Sequence, residues 1–478
     1  MASIESVPPE ILAEIPLILH DAGEQEEYEI DRLTWRKDLM SLRAVNRMFR
    51  DLVNPLLFGR AIIFSGRPVK LPQNPFVRPM PCHTYMFREI GISRLQGLAS
   101  DPSISKLVRR LEFDGIPHLE LLDYLENTGA QLGTFREEDR RFLARISILI
   151  HRLLPRFSNL TALKLDLGYT YEKPSRLDGR YNFDSNGTSH WIQDMADLFQ
   201  AFSLAIIRSG LNKLEELDLS LAVAQDFGHF LNNENEAESS ATKEFFQQLK
   251  RLRVHVAWHN ETRLTLSRTS ERPFPETEWN QVHAENVQKL LSLASNVESL
   301  KVGSISYLSL GASSLPHSNL RSLQLHRVRV AGEALASLIN RCQSLERLDF
   351  FEPCIESGTW EDIFTALTRT SIIDIDFMYC LYWDVYSQNR RCIYHPVFVR
   401  TDRIEDVKAC ELMYTQLHEN LCRIYGINYA EHRLGRDWPA DHAAELRKLL
   451  EHGHTDTEIS TSLSTTNFDD EYDDDFFF

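Results

Sequence analysis

At 478 residues the chain exceeds what one compact core accommodates, so several units or one elongated unit are expected. Hydrophobic residues make up 43% and charged residues 25%, the balance of an ordinary water-soluble fold. The net charge of −17 argues against a general binder of nucleic acid or anionic membrane, because either needs clustered positive charge.

The first predicted element follows Pro8 and Pro9, where Ile11, Leu12, Ile15 and Leu19 recur at helical spacing. This is the nearest approach to a long apolar run. It falls far short of the ~20 residues of a membrane span and carries Glu14. No basic stretch precedes it, so a signal peptide is not expected. A polar insert over 20–37 leads to LMSLRAVNRMFRDLVNPLLF, where Leu39, Leu42, Val45 and Phe49 share one face and Leu52, Val53, Leu56 and Leu57 extend it. Pro55 is expected to end or bend that helix. The helical segment is assigned to residues 1–64, and the Pro-rich 65–82 reads as a linker.

Residues 83–378 carry one recurring pattern: apolar, two residues, apolar, one residue, apolar. It starts at Val108, Leu160, Leu214, Leu249, Val297, Leu320, Leu345 and Ile372, with 23, 25 and 27 residues between the last four starts. The last two apolar positions of each copy lie on one face of a strand. Helical patterns precede most copies, over 136–155, 191–210, 287–295, 331–342 and 359–370. Strands alternating with helices imply a parallel sheet. A doubly wound α/β fold is the competing architecture, but its buried strands read as near-continuous Val/Ile runs. LEELDL and LERLDF instead carry charge at alternate positions, which needs a solvated face. The fold class is therefore α/β: a solenoid with a curved parallel sheet and outer helices, preceded by a small all-α domain. Leu217, Leu252, Leu300, Leu323 and Leu348 are its expected shared core.

The intervening residues point to the concave face. Arg251, Arg253 and Lys301 fall there on neighbouring strands, bordered by Glu216 and Asp218, with Phe351 and Met378 toward the C-terminal end. Two readings stand. The cations and the two apolar side chains receive an acidic or phosphorylated target segment, or the charges neutralise one another on a solvated face.

Residues 379–454 lack the repeat and read as a C-terminal helical cap; 455–478, ending DDEYDDDFFF, read as a disordered acidic tail. Seven cysteines without a CxxC pair suggest reduced thiols in the cytoplasm and/or nucleus. The chain carries no glycine-rich phosphate loop, Gly-x-Ser-x-Gly elbow or His-Glu-x-x-His motif. No catalytic residue, metal or cofactor is expected.

Two resemblances follow from these residues. The repeats resemble leucine-rich repeats, and Leu320–Ile355, with Cys342 and Cys354, is similar to their cysteine-containing subclass. Residues 4–60 resemble an F-box: Val7-Pro8-Pro9-Glu10-Ile11-Leu12, then Asp38, Leu39, Leu42, Arg43, Val45, Asn46, Arg47 and Phe49, with a longer insert between the halves than the family carries. Together these are similar to F-box proteins with C-terminal leucine-rich repeats of the fungal type. The resemblance implies a non-catalytic substrate-recognition subunit of an SCF-type E3 ubiquitin ligase. Pro8, Ile11, Leu12, Ile15, Leu39, Leu42 and Val45 would dock a Skp-type adaptor of a cullin–RING ligase, and the repeats would hold a target protein. The alternative is a non-ligase repeat scaffold whose N-terminal helices only cap the solenoid.

Overall fold

The computed structural model describes residues 38–45, 47–65, 82–114, 132–166, 198–221, 224–231, 236–256, 284–311, 315–378, 380–382 and 403–434, with Glu14 and Thr401. Helix α1 (Arg47–Gly59) runs directly into strand β1 (Arg60–Ser65). Then come α2 (Cys82–Ser100), α3 (Pro102–Ser105), β2 (Arg110–Asp114), α4 (Leu132–Leu153), β3 (Ala162–Asp166) and a helix over 198–208. They are followed by β4 (Glu216–Leu221), α5 (Glu236–Gln248), β5 (Arg251–Val256), α6 (Ala284–Leu293), β6 (Ser299–Leu310), β7 (Ser322–Ala331) and α7 (Gly332–Arg341). The array closes with β8 (Arg347–Phe351), β9 (Cys354–Ser357), α8 (Trp360–Leu367), β10 (Asp374–Met378), β11 (Leu381–Tyr382), α9 (Ile404–Tyr425) and α10 (Ile427–Leu434).

The main path of the sheet is β1-β2-β3-β4-β5-β6-β7-β8-β10, with neighbours parallel and in sequence order. That is the topology of stacked repeats, in which each unit pairs with the next. Each strand from β2 onward on this path begins two residues after a copy of the sequence pattern. The chain thus adopts a leucine-rich-repeat, solenoid-like α/β arrangement. The first strand is a correction: β1 begins inside residues 1–64, assigned above to a helical segment, and runs to Ser65. Its pattern, Phe58-x-x-Ala61-x-Ile63, matches the later copies, and Ala61 and Ile63 are buried.

The amino ends of the strands repeat one hydrogen-bond scheme. The carbonyl just ahead of a strand accepts from the first amide of the next: Ala162 N–H to Arg109 O (2.9 Å), Arg251 N–H to Glu215 O (2.9 Å), Asp374 N–H to Glu346 O (3.1 Å). A tight turn precedes it, as in Leu160 N–H to Phe157 O (3.1 Å) and Leu345 N–H to Cys342 O (3.0 Å). Short, satisfied turns of this kind keep the register constant from unit to unit.

The core lies between the sheet and its helices. Leu217, Leu252, Leu300, Leu323 and Leu348 are in direct register and at most 2% exposed. They form one cluster with Ile146 and Ile150 of α4, Leu290 of α6, Leu335 of α7 and Phe364 of α8. Past the open face the chain turns a corner into a second, shorter parallel ladder in which Arg329 pairs with Cys354 and Leu381 with Cys354. The corner residues Arg327 and Glu352 adopt positive φ (51° and 50°), and their side chains pair at 2.7 Å. Gly332 opens α7 where a Cβ would stand 2.7 Å from Ser357 O, so only glycine permits this approach of the next repeat.

The C-terminal end is closed by α9. Its Asp406, 1% exposed, accepts from Glu361 N–H (2.8 Å), Tyr382 Oη (2.6 Å) and Thr401 Oγ1 (2.5 Å), fixing α9 to the start of α8. Asn420 donates to Thr370 O and Ile372 O ahead of β10, so backbone carbonyls at the end of the array are not left bare.

Candidate functional site: the open face of the sheet

On strands packed by helices on one side, alternate residues face the other. Register places them in three rows. One is Arg60, Arg110, Ala162, Glu216, Arg251, Ser299, Ser322, Arg347 and Asp374, with Arg60 on β1 opposite Arg110. The second carries Glu112, Lys164, Asp218, Arg253, Lys301, Gln324, Asp349 and Asp376, and the third ends His255, Gly303, His326, Phe351, Met378.

The expected cations do come together: Arg253 is opposite Lys301, and Arg251 is one row away. They are not a free positive patch, however. Arg251 lies 3.3 Å from Glu216 and Arg253 3.7 Å from Asp218. Lys301 is enclosed enough that burial lowers its pKa, against the pull of Asp349 and Asp218. The pairs continue toward the N-terminus as a chain: Arg60 to Glu112 (3.0 Å), Glu112 to Arg110, Arg110 to Glu216 (2.7 Å), then Arg251. Arg110 reaches Glu216 across β3 because the residue between them is the small Ala162. This half of the face neutralises itself, which is the second of the two readings of the sequence.

Phe351 and Met378 are neighbours in register. Phe351 is half-buried, with the Arg327 guanidinium 5.7 Å above its ring and the His326 ring at 5.8 Å. Met378 is 42% exposed. Beside them an open groove of about 530 Å³ is lined by Ser322, Gln324, Arg347, Asp349, Asp374 and Asp376. Sequence reasoning placed these residues on the open face but gave the carboxylates no role; the alternation in Asp374-Ile-Asp376-Phe-Met378 was the available signal.

His255 and His326 flank Gly303, where a Cβ would come within 3.0 Å of the His255 ring. Burial holds His255 down to about 4. Among the described residues no group of three or more His, Cys, Asp or Glu could hold a metal ion. Cys342 and Cys354 are buried, and Cys342 Sγ lies 3.6 Å from His317 O, so its role is packing.

At the N-terminus, Leu39 is fully buried against Val53 and Leu57, and Leu42 is half-buried beside them. Leu39 therefore belongs to the internal packing of the helices rather than to an open contact face. Val45 is 57% exposed, as are Met40 (50%) and Met48 (37%). Arg43 Nε donates to Asn54 Oδ1 at 2.7 Å and the guanidinium covers the Phe58 ring, holding residues 38–45 against α1. Pro55 lies inside α1, which continues to Gly59, so of the two expected effects the helix does not end there. Pro8, Ile11, Leu12 and Ile15 lie outside the described residues, as do the 65–82 linker's residues 66–81 and the 455–478 tail. No helix of the described residues is long and apolar enough to cross a membrane.

No family model and no curated protein matches the chain. Among solved structures it is similar to an LRR protein of Leptospira interrogans, at 11% identity and a TM-score of 0.23, covering 54% of each chain. It thus spans about half the length of that protein. A computationally designed self-assembling cyclic homooligomer is matched over 94% of this chain and 100% of its own, at 12% identity and a TM-score of 0.11. Likenesses at these scores carry no argument about function; the repeat assignment rests on the register and burial above.

Proposed function

We propose that the chain is a protein-interaction subunit: the substrate receptor of an SCF-type ubiquitin ligase, docking a Skp-type adaptor through its N-terminal helices and a target through the open face of its repeats. The observation that carries this reading is the exposure of three large apolar side chains, Met40, Val45 and Met48, close together in the sequence just ahead of the first repeat and within the segment that resembles an F-box. Its contribution to ubiquitin transfer would be proximity, with no bond chemistry of its own. Co-purification with the adaptor tests it. Leu12→Asp with Val45→Asp should abolish capture while the thermal unfolding of the repeats is unchanged; undiminished capture refutes the ligase reading.

A scaffold without a ligase link is the second reading. It is supported by the continuity of α1 with β1 and by the Arg109 N–H bond to Gly59 O (2.9 Å), which join the helices to the first repeat as a solenoid cap is joined.

A further inference from the structure

The open face changes character between β5 and β8. Across these strands its first two outward rows read Arg251, Ser299, Ser322, Arg347 and Arg253, Lys301, Gln324, Asp349. Arg251, Arg253, Lys301 and Arg347 thus stand against a single carboxylate, and that one, Asp349, lies 3.1 Å from His326 Nε2. Beyond the block, Glu216 is shared between Arg110 and Arg251, and Asp374 and Asp376 have partners of their own. Among the described residues the side chains of Lys301 and Arg347 make no ion pair or hydrogen bond; Lys301 feels Asp349 and Asp218 only at longer range. The hydroxyls of Ser299 and Ser322 and the amide of Gln324 are likewise without a hydrogen bond to the described residues. Arg251 touches Glu216 with one nitrogen at 3.3 Å, and its side chain is 66% exposed, so most of its donors point elsewhere.

The first of these rows is a trough. The short Ser299 and Ser322 form its floor, Arg251 and Arg347 stand at its ends, and Lys301 and Gln324 run along its side; Ser322, Gln324 and Arg347 also line the open groove. From β5 to β8 there are three strand spacings, about 14 Å. Alternate side chains of an extended polypeptide lie about 7 Å apart, so residues i and i+4 span the same about 14 Å.

We propose that this trough is the recognition surface, and that its occupant is an extended acidic segment of a partner protein, of the form acid-x-acid-x-acid, lying across the strands. The first carboxylate meets Arg251, the middle one meets Lys301 over the two serine hydroxyls, and the last meets Arg347. The inference rests on the reading of the repeats as a protein-binding array and names the chemistry of what they bind. Charge complementarity selects an acidic occupant, because the block between β5 and β8 holds four cations and one carboxylate. The spread of the cations selects a run of carboxylates over one phosphoryl group: Arg251 and Arg347 stand at opposite ends of the trough instead of converging on a point. Arginine at those ends suits the role, since its planar fork grips a carboxylate through two N–H groups.

The test uses the full chain and fluorescence anisotropy with a labelled Glu-Ala-Glu-Ala-Glu peptide, with Lys-Ala-Lys-Ala-Lys and the equally charged Glu-Glu-Glu-Ala-Ala as counter-probes. The spaced glutamate peptide should bind best of the three, and more weakly at high salt. Lys301→Gln with Arg347→Gln should weaken it about tenfold or more, whereas Lys289→Gln on the outer helix α6 should leave it unchanged. Should the double variant melt early, Arg347→Glu at that exposed position keeps the test open and should weaken binding by itself. Absence of glutamate-peptide binding, equal binding of the spaced and unspaced peptides, or indifference to the Lys301 and Arg347 changes overturns the proposal. Tighter binding of Ala-Ala-phosphoserine-Ala-Ala than of the spaced glutamate peptide would assign the trough to a single phosphoryl group. Tighter glutamate-peptide binding after Asp473→Asn, Asp474→Asn and Asp475→Asn together would assign it to the chain's own acidic run, and dissociation of a dimer by Arg347→Glu would assign it to a second copy; each of these results overturns an acidic partner in trans. Adaptor capture by the same variants is read separately, so failure of the ligase reading and failure of this surface are distinguishable.

Discussion

Strands β2 to β5 and strands β8 and β10 present apolar side chains inward, mostly leucine in the first group and Leu348, Phe350, Ile375 and Phe377 in the second, and very different chemistry outward. In the first group Arg110, Glu112, Glu216, Arg251, Asp218 and Arg253 engage one another within and across strands. In the second, carboxylates outnumber cations beside an exposed Met378. The interior admits little variation, since packing at crystal-like density fixes size and shape at every repeat. The open face is released from that constraint, so its charges can differ from strand to strand, and in the first group they neutralise one another. A second contrast runs across the strands. Their amino ends carry the repeated short turns, whereas five of the segments outside the described residues, 66–81, 115–131, 167–197, 257–283 and 383–400, each follow the carboxyl end of a strand.

The largest effects should come from the shared interior. Leu217→Ala in one half and Leu348→Ala in the other should each cost about 2–5 kcal/mol in denaturant unfolding; a large cost in only one half would break the claim of a common core. Next is the ion-pair chain. Burial disfavours the charged form of Glu112, but bonds from Arg60 and Arg110 outweigh it and hold its pKa below the ordinary 4.5. Its contribution is therefore present above that pH and is lost as pH falls through the lowered folded value. Glu112→Gln should cost about 1–3 kcal/mol at neutral pH and flatten the acid limb of the stability curve.

Histidines supply a smaller, graded effect. His317 is fully buried, among the described residues its ring nitrogens meet no partner at full hydrogen-bond geometry, and burial lowers its pKa to about 4 against the opposing pull of the Ala294 backbone, as burial does for His255. Below pH 6.5 the unfolded chain takes up protons that the folded chain refuses. Stability from both groups is thus complete above that pH and declines toward pH 4, by at most about 1.4 kcal/mol per pH unit for each. His317→Leu should reduce this slope in unfolding curves collected between pH 7 and pH 5, chosen as roughly the window above the folded values; an unchanged slope refutes the assignment. The smallest effects belong to the rim. Asp376→Asn and Arg253→Gln should each change stability by about 0.5 kcal/mol or less, which is what separates a surface available for binding from one required for folding.

Most of the repeat array was legible because its determinants are local. Alternating apolar positions define a strand and its inward face from a few consecutive residues, and β2 to β8 and β10 start at one constant offset from their sequence patterns. β1 escaped because its copy follows a helix without a break and uses the small Ala61 where later copies use leucine or other larger residues. Pro55 does not end its helix for a related reason: the helix has already begun at Arg47 and is held by packing of Leu57 against Leu39 and Val53, which offsets the lost backbone bond. The charges of the open face could be assigned to that face but not to partners. Arg110 and Glu216 lie 106 residues apart, and Arg251 and Glu216 lie 35 apart. Which carboxylate meets which guanidinium depends on the register between strands joined by segments of unequal length, and on a small Ala162 standing between them. Apolar periodicity is a property of consecutive residues; neutralisation of a charge is a property of neighbours that folding alone brings within reach.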